Sequence, residues 1–201
     1  MWKEFKPTIF FLLRFLGVYL IGSALYGLYI SNYDQAQSLD PATRWVTYQC
    51  ASTANIFGYD AEVTQDDHLN WANEEEQTYD SLWLNAQYAI SVEEGCNGLN
   101  IMILFIAFVI GFGGKWLNTL IFIPSGLLFI HLANIGRLML LSLLNVEFDG
   151  RGFHFFHKYG FTAVLYVAIL ILWYFWVMRW NGKTKPKLKK STDAQGDTAE
   201  S

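Results

Sequence analysis

The chain has 201 residues, of which 53% are hydrophobic and only 16% are charged, and its formal net charge is -4. This composition excludes a disordered protein and an ordinary soluble domain. Most of the acidic residues lie between Asp34 and Glu94, where Arg44 is the only basic residue, and this segregation is typical of a protein that faces both sides of a membrane and not of a nucleic-acid-binding surface.

The first apolar run extends from Thr8 to Ile30 and is long enough to cross about 30 Å of hydrocarbon. A secretory signal has a shorter apolar core and ends in a cleavage site of small residues. We therefore expect residues 1–30 to form an uncleaved transmembrane anchor.

The polar stretch 31–95 predicts a small extracytoplasmic cap. Within it, Asp40-Pro41 indicates the start of a helix and Gly58 its end, and the alternation over Gln87–Val92 predicts a short strand. The predicted helix has apolar residues at helical spacing, which should pack against the membrane or the bundle: Trp45, Val46, Cys50, Ala54 and Phe57.

Three further apolar stretches predict a three-helix core over residues 96–180. The second span is short unless its helix begins near Cys96, the third covers 116–145, and the fourth starts near His157 and ends at Arg179. The expected fold is therefore an all-α membrane protein with about four transmembrane helices and a cap between the first and second.

Four spans place both termini on one side of the membrane. By the positive-inside rule this side is the cytoplasm, because the basic residues that flank the spans share it: Lys3, Lys6, Lys115, Arg179, Lys183, Lys185, Lys187, Lys189 and Lys190. Residues 181–201 are basic and then polar, which predicts a disordered cytoplasmic tail.

Three reactive side chains are predicted to share the outer layer of the bundle. Counted from the cytoplasmic anchors at about 1.5 Å per residue, Cys96 lies about 28 Å from Lys115, and Arg137 and His157 each lie about 33 Å from their anchors. A thiol at a helix start is favoured as a thiolate nucleophile. A neighbouring imidazole can donate a proton to the leaving amine, and a guanidinium can stabilise an oxyanion.

Each of these residues also has a structural alternative. Cys96 forms a disulfide with Cys50 in one alternative, Arg137 snorkels to the interface in another, and His157 with His154 caps the last span in a third. A metal site built from Cys96 and both histidines lacks a recognisable zinc spacing.

Other polar residues near the same layer have less specific roles. Asn134, one turn below Arg137, is placed to orient that side chain. His131 lies deeper and is predicted to pack or to hydrogen-bond between helices. Glu93 and Glu94 beside the cysteine would raise the pKa of its thiol, and they bind the basic side of a substrate or pair with Arg137.

Three motifs in this order resemble the exosortase/archaeosortase family. They are Glu94-Gly95-Cys96-Asn97-Gly98-Leu99 at a span entrance, Ala133-Asn134-Ile135-Gly136-Arg137 near the outer end of a later span, and His157 at the opening of the last span. The chain length, the four predicted spans, Asp40-Pro41-Ala42-Thr43-Arg44-Trp45-Val46 and Phe57-Gly58-Tyr59 look most like the short exosortases of type F.

The resemblance implies a cysteine transpeptidase or peptidase of the bacterial inner membrane, whose partners are the bilayer and membrane-tethered precursors with C-terminal sorting signals. Cleavage would occur at the outer face, without a cofactor or metal, and the product would pass to an unidentified acceptor or to water. The family pattern implies Cys96 as nucleophile, Arg137 as oxyanion partner and His157 as proton donor. Four further residues are predicted to bind the substrate or to orient the site: Asn134, Asn97, Glu94 and His154. The competing hypothesis is a non-catalytic membrane assembly or export protein with a structural Cys50–Cys96 disulfide.

Overall fold

The computed structural model describes residues 2–34, 38–70, 75–148 and 161–180. The predicted tail, 181–201, lies outside the described residues. The elements in chain order are helices α1 (Trp2–Asp34) and α2 (Pro41–Ile56), strands β1 (Ala61–Asn70), β2 (Glu75–Leu84) and β3 (Gln87–Val92), and helices α3 (Leu99–Phe112), α4 (Trp116–Glu147) and α5 (Phe161–Phe175), the last continued by the π-helical turn Trp176–Trp180.

Three helices are long and apolar enough to cross a membrane: Phe5–Tyr33, Trp116–Glu147 and Ala163–Trp180. Helix α3 is strongly apolar but has only 14 residues, or about 21 Å of rise, because it begins at Leu99 and not near Cys96. The chain is thus a membrane-embedded, mostly helical protein, and the predicted count of four spans is not confirmed.

Glycines allow the helices of the bundle to approach closely. A Cβ atom on Gly111 of α3 would lie 2.9 Å from the Cα of Phe15 in α1, and one on Gly126 of α4 would collide with the ring of Phe105 in α3. Such small-residue contacts are typical of helix packing inside membranes, where van der Waals contact takes over from the hydrophobic effect. Helix α5 packs against both α3 and α4.

Helix α2 begins as the sequence predicts. The Asp40 carboxylate accepts hydrogen bonds from the amides of Ala42 and Thr43, each at 3.0 Å, and Pro41 is the first helical residue. The hydroxyl of Tyr29 in α1 donates to the same carboxylate at 3.0 Å. One N-cap residue therefore starts α2 and also attaches it to the first membrane helix.

The predicted apolar face of α2 is only partly correct. Val46, Cys50 and Ala54 are buried, whereas Trp45 and Phe57 are exposed. The helix ends at Ile56, just before the predicted Gly58 stop. Its apolar residues therefore occupy two faces, one in the protein core and one outside it.

The cap also contains a β-sheet, so the all-α expectation is wrong. The three strands are antiparallel in the order β1-β2-β3. Strand β3 coincides with the strand predicted over Gln87–Val92, and it is joined to β2 by Asn85-Ala86, both with positive φ, as two-residue hairpins require. β1 and β2 were missed because their many polar and acidic residues give little hydrophobic alternation.

One hydrophobic core joins the cap to the last turns of α4. Its buried members are Val46, Cys50, Ala51 and Ala54 of α2, Leu82, Leu84, Ala89, Ile90 and Val92 of the sheet, and Ile135, Leu138, Met139 and Leu141 of α4. This packing fixes β3 against α4 at the end of the bundle where β3 leads into α3. We refer to this end of the bundle as the cap end.

Candidate active site

The cysteine turn, residues 93–98, connects β3 to α3. The amide of Cys96 donates to the carbonyl of Glu93 at 3.0 Å, which folds the chain back on itself. Gly95 and Gly98 have φ of 86° and 82°, values that a residue with a side chain rarely adopts. The two glycines thus allow a tight turn, with the thiol between β3 and α4.

Asn97 anchors the cysteine turn to the first membrane helix and to the cap. Its side-chain amide donates to the hydroxyls of Tyr26 at 3.1 Å and Thr43 at 3.0 Å, and its carbonyl oxygen accepts from the amide of Leu99 at 3.0 Å. The residue is buried and its hydrogen bonds are internal. Of the two predicted roles, the contacts fit orientation of the turn, not substrate binding.

Asn134 of α4 holds the other side of the turn. Its side-chain amide donates to the carbonyl oxygen of Cys96 at 2.9 Å, and a Cβ atom on Gly98 would lie 3.3 Å from the Asn134 side chain. The sequence suggested that this asparagine orients Arg137. The structure instead places its amide on the main chain of the cysteine itself.

The guanidinium of Arg137, three residues after Asn134, lies beside the thiol of Cys96 and interacts with it electrostatically. Its Nε atom is buried and has no hydrogen-bond partner among the described residues. The structure therefore brings together two of the three side chains that the rise-per-residue arithmetic placed in one layer. A guanidinium with a remaining donor beside a thiol can stabilise negative charge on sulfur or on a substrate oxygen.

The electrostatics of Cys96 differ from the prediction of an activated helix-start thiol. Burial raises the pKa of the thiol, the Arg137 guanidinium opposes this, and the Glu93 carboxylate adds to it, so that the pKa is raised. The sequence predicts two opposing effects on this pKa, a lowering by the helix start and a raising by the neighbouring carboxylates. Cys96 lies in the turn before α3 and not in its first helical turn, and burial acts in the same direction as Glu93. At neutral pH, formation of the thiolate therefore needs a base or a charge-stabilising ligand.

A cavity of about 350 Å³ opens at the thiol. Its walls come from β3, the cysteine turn and α4: Tyr88, Ile90, Ser91, Glu93, Cys96, Leu138, Leu141 and Asn145. Glu93 is exposed, whereas its neighbour Glu94 is half-buried and close enough to Tyr26 of α1 to interact electrostatically. Glu93, rather than the predicted Glu94, is thus the carboxylate available to a ligand in this cavity.

Sequence reasoning gave no role to Ser91 or Asn145, although both line the cavity. The signals available were a polar residue at the end of a long apolar run, for Asn145, and the predicted strand that leads to the cysteine, for Ser91. Neither signal indicates which side of its element faces the thiol.

The two predicted histidines of this layer, His154 and His157, lie outside the described residues. His131 belongs to α4, where it stacks on Trp45 with 4.8 Å between ring centroids and hydrogen-bonds Gln49. It joins α2 to α4, in agreement with its predicted packing role.

Both cysteines are free. Cys50 is fully buried, and burial raises its pKa to about 12, although a hydrogen bond with Ser142 opposes this shift. Such a thiol stays protonated and unreactive at physiological pH. The disulfide that the non-catalytic alternative requires is therefore not supported. Within the described ranges, no group of three His, Cys, Asp or Glu side chains is placed to hold a metal ion.

Comparison with known families gives one match. The family model described as transmembrane exosortase (Exosortase_EpsH) matches residues 8–174, which include most of α1, the cap, the cysteine turn and most of the last helix. No curated protein and no solved structure matches the chain.

Proposed function

Because the chain belongs to the transmembrane exosortase family, we propose that it is a cysteine transpeptidase or peptidase that cleaves C-terminal sorting signals from exported proteins. Family membership carries the general role in protein sorting. The observation that supports the specific chemistry is Cys96, which lines a cavity and has the Arg137 guanidinium beside its thiol. Cys96 borders a cavity of about 350 Å³, whereas Cys50 is fully buried.

In the proposed mechanism, His157 accepts the proton of the Cys96 thiol, and the sulfur attacks a backbone carbonyl of the precursor. Arg137 stabilises the negative charge that develops on the carbonyl oxygen. When the tetrahedral intermediate collapses, the C–N bond breaks, His157 donates its proton to the leaving amine, and a thioester remains. An acceptor amine or water then attacks the thioester and releases Cys96. The raised pKa of the thiol makes a general base necessary in this scheme.

Asn134 and Asn97 act as positioning residues in this scheme, because each bonds the turn that carries the nucleophile. Glu93 is a candidate for contact with the substrate, since it lines the cavity. We keep His154, three residues earlier in the chain, as the alternative to His157, and Glu94 as a residue that supports the turn from the α1 side.

We further propose that the protein is a multi-pass protein of the bacterial inner membrane with both termini in the cytoplasm and the cap end outside. In this arrangement residues 1–30 are the anchor, 31–95 the cap, 96–180 the catalytic core and 181–201 the cytoplasmic tail. The charge supports it, because the acidic cap and the basic flanks lie at opposite ends of the spans. Assignment to the type F subgroup rests on sequence motifs alone.

The proposed partners are the bilayer and precursors that end in a short motif, a transmembrane helix and a basic cluster. The precursor's own helix would bring the scissile bond to the depth of Cys96. The acceptor is an amine or water, and no cofactor enters the scheme.

The test compares Cys96→Ala with Cys50→Ala cells at matched protein levels. Exported proteins of the same organism with such a C-terminal signal are followed by their change in mass on cleavage. Accumulation of uncleaved precursor only in the Cys96→Ala cells is expected. Normal processing in those cells would remove the proposed nucleophile, and equal loss in both variants would indicate a structural role for the cysteines.

A further inference from the structure

Strand β3 is an edge strand beside the nucleophile. In the part of the chain that the structure describes, the sheet order is β1-β2-β3, and β2 is the strand partner of β3. The other edge of β3 lies beside the last turns of α4, where the Asn145 side chain bonds the main chain of the strand. The cavity at Cys96 lies between this side of the strand and α4.

The cavity borders the edge of β3 and not one face of the sheet. Ile90 and Ser91 are consecutive, so their side chains point to opposite faces, yet both line the cavity together with Tyr88. Consecutive residues of a strand share a cavity only where that cavity runs along the main chain between them. The main chain of β3 therefore forms one wall of the cavity at the Cys96 thiol.

An amide already occupies part of this edge. The side-chain amide of Asn145 in α4 donates to the carbonyl oxygens of Tyr88 at 3.3 Å and Ala89 at 2.7 Å. Ala89 is the extra residue of a β-bulge, because Ile90 pairs with Leu82 and Tyr88 with Trp83. Carbonyls of β3 thus point away from β2 and accept amide hydrogens, as they would from an added strand.

The remaining edge leads directly to the nucleophile. Strand β3 ends at Val92, and the amide of Cys96 bonds the carbonyl of Glu93, the residue after it. Consider a peptide that pairs with the free edge of β3 and rises about 3.3 Å per residue. A few residues past the one that lies beside Ser91, such a peptide would place one of its carbonyl groups at Cys96.

From this geometry we infer that the precursor segment just before its membrane helix binds as an added strand on β3, parallel to it. This rests on the proposed function. The direction follows from the membrane: the precursor chain runs through the scissile bond and then into the bilayer, as β3 runs through Cys96 and then into α3. Main-chain hydrogen bonds would supply sequence-independent affinity, and the side chains that line the cavity would select the residues beside the scissile bond.

Disulfide trapping tests the strand and its direction. In Cys96→Ala/Cys50→Ala cells, where an uncleaved precursor accumulates, a single cysteine is introduced by Ser91→Cys or Tyr88→Cys. The precursor carries single cysteines, one at a time, over the residues before its membrane helix. The matched control is Glu62→Cys, an exposed position of β1 at the opposite edge of the sheet.

We expect Ser91→Cys to crosslink near the scissile bond, and Tyr88→Cys to crosslink about three residues farther from the precursor's helix. The reverse order, no crosslink to an accumulated precursor, or a yield no higher than with Glu62→Cys would overturn the inference and leave the proposed function intact. If no precursor accumulates in Cys96→Ala cells, the proposed function fails, and this inference fails with it.

Discussion

The Asn134→Ala variant tests whether the carbonyl contact positions the nucleophile. The asparagine is fully buried, and its amide donates to the Cys96 carbonyl at 2.9 Å. Loss of the donor leaves that acceptor unsatisfied, at a cost of about 1–3 kcal/mol when fully buried. The contact is only partly buried, so we expect about 1–2 kcal/mol, which lowers the equilibrium constant between the correctly folded and the open turn about 5- to 30-fold.

Pulse-chase measurement of precursor cleavage at matched protein levels should therefore show a slower rate in Asn134→Ala, by at most about 30-fold, because the rate falls only as far as the population of the folded turn does. The control is Asn100→Ala, an exposed position of α3, which should cleave at the wild-type rate. Alkylation of Cys96 should become less uniform, and the melting temperature of the protein should fall by roughly 2–8 °C. A wild-type cleavage rate in Asn134→Ala would refute the positioning role.

Three further variants test the charges and the packing around the site. Arg137→Met should slow cleavage by about 10²- to 10³-fold, as is typical when one oxyanion donor is removed. It should also move Cys96 alkylation to higher pH, because the guanidinium lowers the pKa of the thiol. An unchanged pH profile of alkylation would contradict this. Arg44→Ala should destabilise the protein by about 3 kcal/mol, since it leaves the buried Asp80 carboxylate without the ion pair at 3.4 Å. Thermal unfolding in nanodiscs measures the loss, and Arg44→Met/Asp80→Leu should recover most of it. Gly126→Ala should cost about 1–3 kcal/mol, because its methyl group would enter the phenylalanine ring of α3 that packs there, and an unchanged melting temperature would argue against that contact.

Several features of the fold were predictable because they depend on local chemistry. Asp40-Pro41 is an N-cap followed by the residue best suited to the first helical position, and it starts α2 as expected. The alternation over Gln87–Val92 is that of a half-buried strand, and it forms β3. Such signals involve neighbours in the chain, so no tertiary contact is needed to interpret them.

The positions of the site residues along the helix axes were predictable, but the rotation of each helix about its own axis was not. Helix rise alone placed Cys96 and Arg137 at one level, and their side chains do meet. The arithmetic gave no information on which side of α4 faces the turn. For this reason Asn134 was assigned to the arginine and not to the Cys96 carbonyl, and Asn145 received no role.

By itself the sequence determined that this is a membrane protein whose acidic and basic residues are segregated along the chain, and it predicted a cysteine, an arginine and a histidine for one chemistry. The length of an apolar run and the charges that flank it are properties of the residues alone, so they do not depend on how the helices pack. Only the tertiary structure decided that the cap contains a sheet, that β3 borders the cavity at the cysteine, and that burial outweighs Arg137 in setting the direction of the thiol pKa. These features depend on which surfaces exclude water from one another, and that is a property of the packed chain.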